Sequence, residues 1–303
     1  MKEQKCKSLL IGNGININFG GKAYSNQFII KRIIFNARAG KYDLLFNGKI
    51  SGEQIEEVFL NLAELANAIS RGECDSVVTT EEIPLLEDFK RRYSKKVEHY
   101  YDVGLEDWLF ILRIFFLKND DLKNIWRPVK YSFEQMMLDA IYNDGDIQKL
   151  YLSMGKPVKR WLEQYDEIFT LNYDNNVESL IKKPVFHLHG DYSTPANSEN
   201  PNTILGHQRT EAHQTVVVPG FEHCYCNALF DYRGENKLQV ADGFERGKES
   251  VKRLSDSGVP ASVFPAPAAG FVQTHREHPE LEIAPTYHFD EFRKLDGEIH
   301  IIG

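Results

Sequence analysis

The sequence predicts an α/β protein built on a parallel β-sheet. Short apolar runs that begin at Ser8, Ile168 and Val185 each pass directly into glycine or polar residues. Such runs are typical of buried parallel strands, and open α/β sheets carry their chemistry where those strands end. A long stretch with helical periodicity separates the first run from the second, as expected of an α/β chain.

Length and composition exclude several classes of protein. The chain has 303 residues, enough for one large domain or two medium ones with a substantial core. Its 36 basic residues against 44 acidic ones give a net charge of -8, which does not favour nucleic-acid or membrane-surface binding. The basic N-terminus lacks a long apolar run and a cleavage site, so we expect a cytoplasmic protein without a signal peptide or membrane span.

Cysteine usage excludes a cysteine framework. The four cysteines contain no Cys-x-x-Cys pair, so neither a disulfide scaffold nor a four-cysteine zinc site is expected. The cluster formed by His223, Cys224 and Cys226 is interpreted as structural, because cysteine is so often simply buried.

Residues 27–165 are predicted to form a helical insertion between the first and second strands. Apolar residues recur every three or four positions over Ser51–Ser70, which Gly72 would close. Asp107–Lys118 is apolar on most sides, so it forms either a core helix or a subunit contact, and the core is favoured. Further helices are predicted at Tyr131–Tyr142, Asp146–Met154 and Pro157–Tyr165, the last with proline in its first turn.

The first strand, Ser8–Ile11, ends in a glycine-rich turn. Gly12, Asn13 and Gly14 all tolerate a positive φ, and a strand that ends in such a turn lets backbone N–H groups face a phosphate. The spacing is neither G-x-G-x-x-G nor a P-loop, so an ordinary turn is an equally good interpretation.

Asn172 and Asp174 follow the second apolar run. An amide can donate and accept hydrogen bonds at once, which suits Asn172 to fixing a ribose hydroxyl or a water. The alternative is that Asn172 caps the helix that begins near Asn175, and Asp174 is an equally good cap.

His187 and His189 follow the third apolar run, in the sequence HLHGD. In a strand they would point to the same face, and Gly190 would let the backbone pass close to a ligand. A histidine can take a proton from a hydroxyl near neutral pH, so His189 is a candidate general base. A histidine buried for structural reasons and a metal ligand are the alternatives, but no third ligand has a telling spacing.

The C-terminal third is predicted to be less regular. Thr215–Val218 is a short β-branched run, and Glu222–Phe230 is a candidate helix. The proline-rich segment Gly258–Pro285 cannot be one long helix, so irregular structure is expected there. Glu298–Ile302 is predicted to be a final strand, and since it reaches Gly303 we expect the chain to be trimmed at the loop that follows.

The motifs GNG, TLNYD and HGD, in this order and followed by IHIIG, resemble the sirtuin-like NAD-hydrolase domains of bacterial anti-phage defence proteins. The resemblance covers about forty residues spread over residues 1–303. It implies a Rossmann-like parallel sheet, NAD+ as substrate across its carboxyl edge, no metal, and a role in abortive infection. The apolar face of Trp108–Leu117 permits oligomerisation, so the expected partners are further copies of the chain or a sensor domain, and neither membrane nor nucleic-acid binding is expected.

The resemblance assigns roles residue by residue. Gly12, Asn13 and Gly14 correspond to the turn near the dinucleotide phosphates, and Asn16 is assigned to the same nucleotide-binding segment. Asn172 and His189 correspond to the catalytic residues, and Asp174 to the acidic residue of the Asn-containing motif.

Two departures separate this chain from sirtuin deacylases. Asn13 replaces the alanine between the glycines, and the zinc ribbon of four cysteines is absent from the sequence. Both favour hydrolysis of NAD+ over deacylation of protein lysines. A deacylase and a non-catalytic module that senses NAD+ or ADP-ribose remain the alternatives.

Overall fold

The computed structural model describes residues 6–208, 217–230 and 235–303, and within them the chain forms a parallel β-sheet with many helices. The strands are β1 (Cys6–Ile11), β2 (Glu167–Thr170), β3 (Phe186–His187) and β4 (Gly297–Ile302). The helices are α1 (Gly14–Gly20), α2 (Asn26–Arg38), α3 (Gly52–Ser70), α4 (Ile83–Arg92), α5 (Asp107–Lys118), α6 (Trp126–Tyr142), α7 (Lys156–Leu162), α8 (Asn176–Ile181), α9 (Ile204–His207), α10 (Glu235–Asp256), α11 (Ala266–Glu277) and α12 (Phe289–Arg293).

The described strands form one four-stranded sheet in the order β3-β2-β1-β4, with all neighbours parallel. Leu9, Ile11 and Phe169 are completely buried, as expected for central strands that are covered on both faces. Ile11 is in register with Thr170 on one side and with Ile302 on the other, so the carboxyl ends of these strands meet at one edge. The α/β class with a parallel sheet is therefore confirmed.

The strand order identifies where this sheet offers a crevice. The order 3-2-1-4 is the one in which doubly wound nucleotide-binding sheets begin, and it is consistent with a Rossmann-like fold. The chain proceeds from β1 to β3 on one side and then places β4 on the other side of β1. In such sheets ligands bind outside the carboxyl ends of the strands where the order reverses, which here lies between β1 and β4.

The chain divides into two compact units. The sheet-bearing unit comprises the described residues up to Phe19 and from Gln148 onward, and the helical unit comprises Gly20–Ile147. Residues 148–165, which the sequence prediction assigned to the helical insertion, lie in the sheet-bearing unit. The role of residues 27–165 as an insertion into a nucleotide-binding domain stays a prediction.

Aromatic packing organises the core of the helical unit. Phe59 on α3 contacts Trp108 on α5 and Phe133 on α6, with ring centroids 4.7 and 5.2 Å apart. The predicted helix Asp107–Lys118 is confirmed with those bounds, and most of its apolar side chains are buried within the chain. These contacts support the core interpretation of this helix.

Several predicted helices are confirmed with shifted bounds, and one is replaced. The helix predicted from Ser51 begins at Gly52, and Ser51 and Gln54 form a reciprocal capping box at its start. The helix predicted from Tyr131 begins earlier, at Trp126. Asp146–Ser153 is a 3₁₀-helix rather than the predicted α-helix.

The C-terminal third is more helical than predicted. α11 lies within the proline-rich segment, because Pro265 precedes it and Pro267 occupies its first turn, where proline is tolerated. The helix predicted over Glu222–Phe230 is wrong, since only the 3₁₀ turn Glu222–Cys224 forms. The β-branched run at 215–218 lies partly outside the described residues. Among the described helices, none is both long and apolar enough to cross a bilayer.

Candidate functional site

The glycine-rich turn after β1 lies against the end of β4. The Gly12 N–H donates to the Ile302 carbonyl at 2.7 Å, and a Cβ on Gly14 would lie 2.3 Å from the Gly303 carbonyl carbon. Neither Gly12 nor Gly14 has a positive φ. Glycine at position 14 is thus required by close approach of another backbone segment rather than by a left-handed turn.

Asn16 connects α1 to the segment that follows β2. Its side chain is 1% exposed, and Nδ2 donates to Oδ2 of Asp174 at 2.7 Å. Oδ1 of Asn16 has no hydrogen-bond partner among the described residues. A buried acceptor without a partner is costly, so this oxygen is a natural contact for a ligand N–H or O–H group.

Asp174 is buried and serves as a local acceptor. Its other oxygen, Oδ1, accepts from the backbone N–H of Asn176 at 3.2 Å and from Asn176 Nδ2 at 2.5 Å. Burial raises the pKa of Asp174, and the hydrogen bonds from Asn16 and Asn176 oppose that rise. Asp174 therefore accepts a hydrogen bond from the backbone N–H of the first residue of α8. This is the role of a helix cap, one of the alternatives that the sequence leaves open for Asp174.

Asn172 is directed toward the glycine turn rather than toward α8. Its side chain is 8% exposed, and Nδ2 donates to the Gly12 carbonyl at 3.2 Å. The backbone N–H of Asn172 donates to Oγ1 of Thr170 at 3.1 Å. Asn172 thus links the polar ends of β1 and β2, and Asn175, which precedes α8, has no side-chain capping bond.

His187 is held between two fixed partners. Nδ1 donates to the Asn172 carbonyl at 3.0 Å, and Nε2 makes a very short contact with Oε1 of Glu178 on α8. Burial is the largest single effect and lowers the pKa of His187, but the hydrogen bond and charge of Glu178 outweigh it and raise the pKa overall. His187 therefore stabilises the backbone at Asn172 and has no ring nitrogen free for a metal.

His189 lies in a turn, not in the strand that the sequence predicted. β3 ends at His187, so the expectation that both histidines share one strand face is wrong. The ring of His189 contacts Lys237, whose Nζ lies 3.3 Å from Nδ1. Burial, followed by the charge of Lys237, lowers the pKa of His189 to about 3, against a weaker opposing hydrogen bond with the Leu171 backbone. The ring is neutral at neutral pH.

The turn that carries His189 depends on Gly190. Gly190 has a φ of 77°, and a Cβ there would lie 2.3 Å from the Asn227 carbonyl oxygen. The next residue, Asp191, accepts from the backbone N–H groups of Ser193 and Thr194 at 2.7 and 2.9 Å. Gly190 thus allows close approach of another backbone segment, and Asp191 stabilises the loop.

An apolar cavity of about 310 Å³ lies at the sheet crevice. Ile15, Phe19, Trp161 and Ile302 line it together with Gly14. A volume of this size is at the small end for ligand pockets and fits one heteroaromatic ring. The cavity lies where the strand order reverses, beside the turn that Asn172 contacts.

The structure brings most of the predicted residues together. Asn172 contacts Gly12, and Asn16 contacts Asp174, whereas the ring of His189 contacts Lys237 and Phe289. Asn13 is exposed on the same turn. Sequence reasoning missed Glu178 and Lys237. Within the described ranges, no cluster of three or more histidine, cysteine, aspartate or glutamate side chains could hold a metal ion.

Comparison with known proteins adds no relative. No protein-family model, no curated protein and no solved structure matches this chain. The roles of the site residues therefore depend on their geometry and chemistry.

Proposed function

We propose that this protein hydrolyses the bond between nicotinamide and ribose in NAD+, giving nicotinamide and ADP-ribose. The observation that carries the proposal is the contact of Asn172 with Gly12, which joins the predicted catalytic amide to the glycine turn at the carboxyl edge. The resemblance to sirtuin-like NAD hydrolases predicts this pairing of motifs. It also supplies the proposed setting, abortive-infection defence against phage.

The cavity and the glycine turn form the proposed substrate-binding site. Dinucleotides bind across the carboxyl ends of strands in sheets of this order, with phosphates near the first turn. The glycine turn lies at this edge of the sheet, and Asn16, which follows it, offers the buried Oδ1 acceptor. The apolar cavity beside Trp161 suits one of the two ring systems of NAD+.

The proposed reaction depends on orientation of the ribose and the attacking water more than on acid catalysis. A water oxygen bonds to C1′ of the ribose as the C–N bond to the pyridinium ring breaks, and the bond pair leaves with nicotinamide, which becomes neutral without being protonated. The water then releases a proton to solvent. Asn172 is proposed to orient the ribose or the water, and His189 to hold a ribose hydroxyl or the water by a hydrogen bond.

The charge state of His189 is compatible with this reaction. The ribose acquires oxocarbenium-like positive charge in the transition state, and a neutral ring at His189 adds no further positive charge to that of Lys237. The ring of His189 is neutral at neutral pH, since its pKa is lowered to about 3 by burial and by Lys237.

Nicotinamide release from NAD+, followed by chromatography, tests the proposal. Asn172→Ala and His189→Ala should each lose at least a hundredfold in kcat, a reduction typical of removing one group that acts in the transition state. Asn61→Ala on α3 and His207→Ala at the end of α9 are exposed matched controls that should retain full rates. Equal rates in wild type and in both site variants would refute the assignment. Calorimetric binding of NAD+ without nicotinamide release would instead identify a sensor, and transfer of acyl groups to ADP-ribose a deacylase.

A further inference from the structure

Lys237 is a buried lysine on the inward face of α10. Its side chain is 2% exposed, which is unusual for a residue type that is almost always on the surface. Val240, Ala241 and Phe244 follow it at helical spacing and contribute to an apolar cluster around Leu229. Lys237 therefore continues the apolar stripe of the helix toward the interior, where a charge is costly to keep.

The ammonium of Lys237 determines which nitrogen of His189 carries the proton. Nζ lies 3.3 Å from Nδ1. A lysine ammonium can only donate, so Nδ1 must present its lone pair, and the single proton of the neutral ring then lies on Nε2.

We propose that Lys237 is a positioning residue that fixes His189 as its Nε2–H tautomer, so that His189 meets a bound substrate as a hydrogen-bond donor rather than as a proton acceptor. The tautomer is a property of the protein without substrate. Its catalytic consequence rests on the proposed NAD+ hydrolysis. A ribose hydroxyl oxygen or a water oxygen would accept a hydrogen bond from Nε2–H, with no proton transferred.

Long-range ¹H–¹⁵N correlation spectra of ¹⁵N-histidine-labelled protein at pH 7, without NAD+, test the tautomer. The resonance of His189 is assigned as the one that disappears in His189→Gln. In wild type we expect a protonated Nε2 and an unprotonated Nδ1. Lys237→Met, which has similar length but no donor, should shift the ring toward a mixture of tautomers, whereas Lys237→Arg should retain the wild-type pattern. Lys252→Met, an exposed substitution on the same helix, should change nothing.

The outcomes separate the two proposals. A protonated Nδ1 in wild type overturns the inference, and this spectrum is decisive even where Lys237→Met does not fold. An unchanged tautomer in folded Lys237→Met also overturns it. In the nicotinamide-release assay, Lys237→Met should lose at least tenfold in kcat with little change in KM, and Lys237→Arg should recover most of the rate. Full activity of Lys237→Met with an altered tautomer would refute the catalytic consequence. Absence of any NAD+ cleavage in wild type would refute the proposed function while leaving the tautomer assignment intact.

Discussion

Asn16 donates a 2.7 Å hydrogen bond to Asp174, although 158 positions separate the two residues in the sequence. Both side chains are nearly inaccessible, at 1% and 4% exposure. The bond joins α1, which directly follows the glycine turn, to the segment that carries Asn172. It therefore fixes the distance between the two motifs on which the proposed chemistry depends.

Asn16→Ala should destabilise the sheet-bearing unit. The substitution removes one of the hydrogen bonds to the buried Asp174, and leaving a buried acceptor short of a donor costs about 1–3 kcal/mol. Urea unfolding should show this loss, whereas Asn18→Ala on the exposed side of the same helix should cost less than about 0.5 kcal/mol. Equal losses in the two variants would mean that the Asn16–Asp174 bond contributes nothing specific.

Acid should destabilise the protein through His189. Its pKa is about 3 in the folded state, below the ordinary value of about 6.5. As the pH falls below 6.5, the unfolded chain binds a proton that the folded protein excludes, so this group lowers the free energy of unfolding by about 1.4 kcal/mol per pH unit.

Urea unfolding of wild type and His189→Gln between pH 7 and pH 5 measures this effect. The unfolding free energy of His189→Gln should fall less steeply with acid than that of wild type. Parallel pH profiles for wild type and His189→Gln would contradict the low pKa.

The contact between His187 and Glu178 should stabilise the protein in the opposite pH direction. The raised pKa of His187 means that the pair contributes fully below the unfolded pKa of about 6.5, and that this contribution is lost as the pH rises through the folded pKa. Glu178→Gln should therefore cost about 2 kcal/mol at pH 6 and clearly less at pH 9.

Glu163→Gln provides the control for a glutamate. Glu163 is 39% exposed and pairs with Lys159 at 3.9 Å, so its loss should cost under about 1 kcal/mol at either pH. Thermal or urea unfolding at the two pH values gives the comparison. A pH-independent cost for Glu178→Gln would show that its charge does not act on His187.

Gly190→Ala should be more damaging than Gly220→Ala. Both glycines have a positive φ, of 77° and 87°, so alanine costs about 1–2 kcal/mol at either position. Only Gly190 lies against another backbone segment, where the added Cβ would be 2.3 Å from the Asn227 carbonyl oxygen, whereas Gly220 has no described atom within 4 Å of that point. The difference between the two unfolding free energies isolates the steric term. Equal losses of unfolding free energy in the two variants would show that the backbone at Asn227 moves aside without cost.

The sequence predicts the parts of this fold that depend on local periodicity. β1, β4, α3 and α5 follow from apolar runs and from three-and-four spacing, both of which act over a few neighbouring residues. α10 is not predicted by these patterns, because its apolar stripe is narrow. Gly243 and Gly247 also lie within this helix, and each lowers helix stability by about 1 kcal/mol relative to alanine. The apolar stripe is recognised only in the structure, where it packs against Leu229 and Tyr287.

The candidate site is predictable in its residues but not in their partners. The polar ends of β1 and β2 identify Gly12 and Asn172, because parallel strands meet at one edge. The strand at Val185 is far shorter than its pattern suggests, since only Phe186 and His187 pair with β2. The partner of His189 lies on α10, 48 positions away, and no local pattern links the two.

The order of strands in the sheet also predicts how fast the backbone amide hydrogens of each strand exchange with solvent. Among the described residues, β1 and β2 each have a hydrogen-bonded neighbour on both sides, whereas β3 and β4 have one. Opening of an outer strand breaks one ladder, but exposure of a central strand requires two ladders and the buried side chains of Leu9 and Ile11 to separate. The amide hydrogens of Leu9 and Ile11 should thus be among the last to exchange with deuterium, at a rate that reports unfolding of the sheet as a whole.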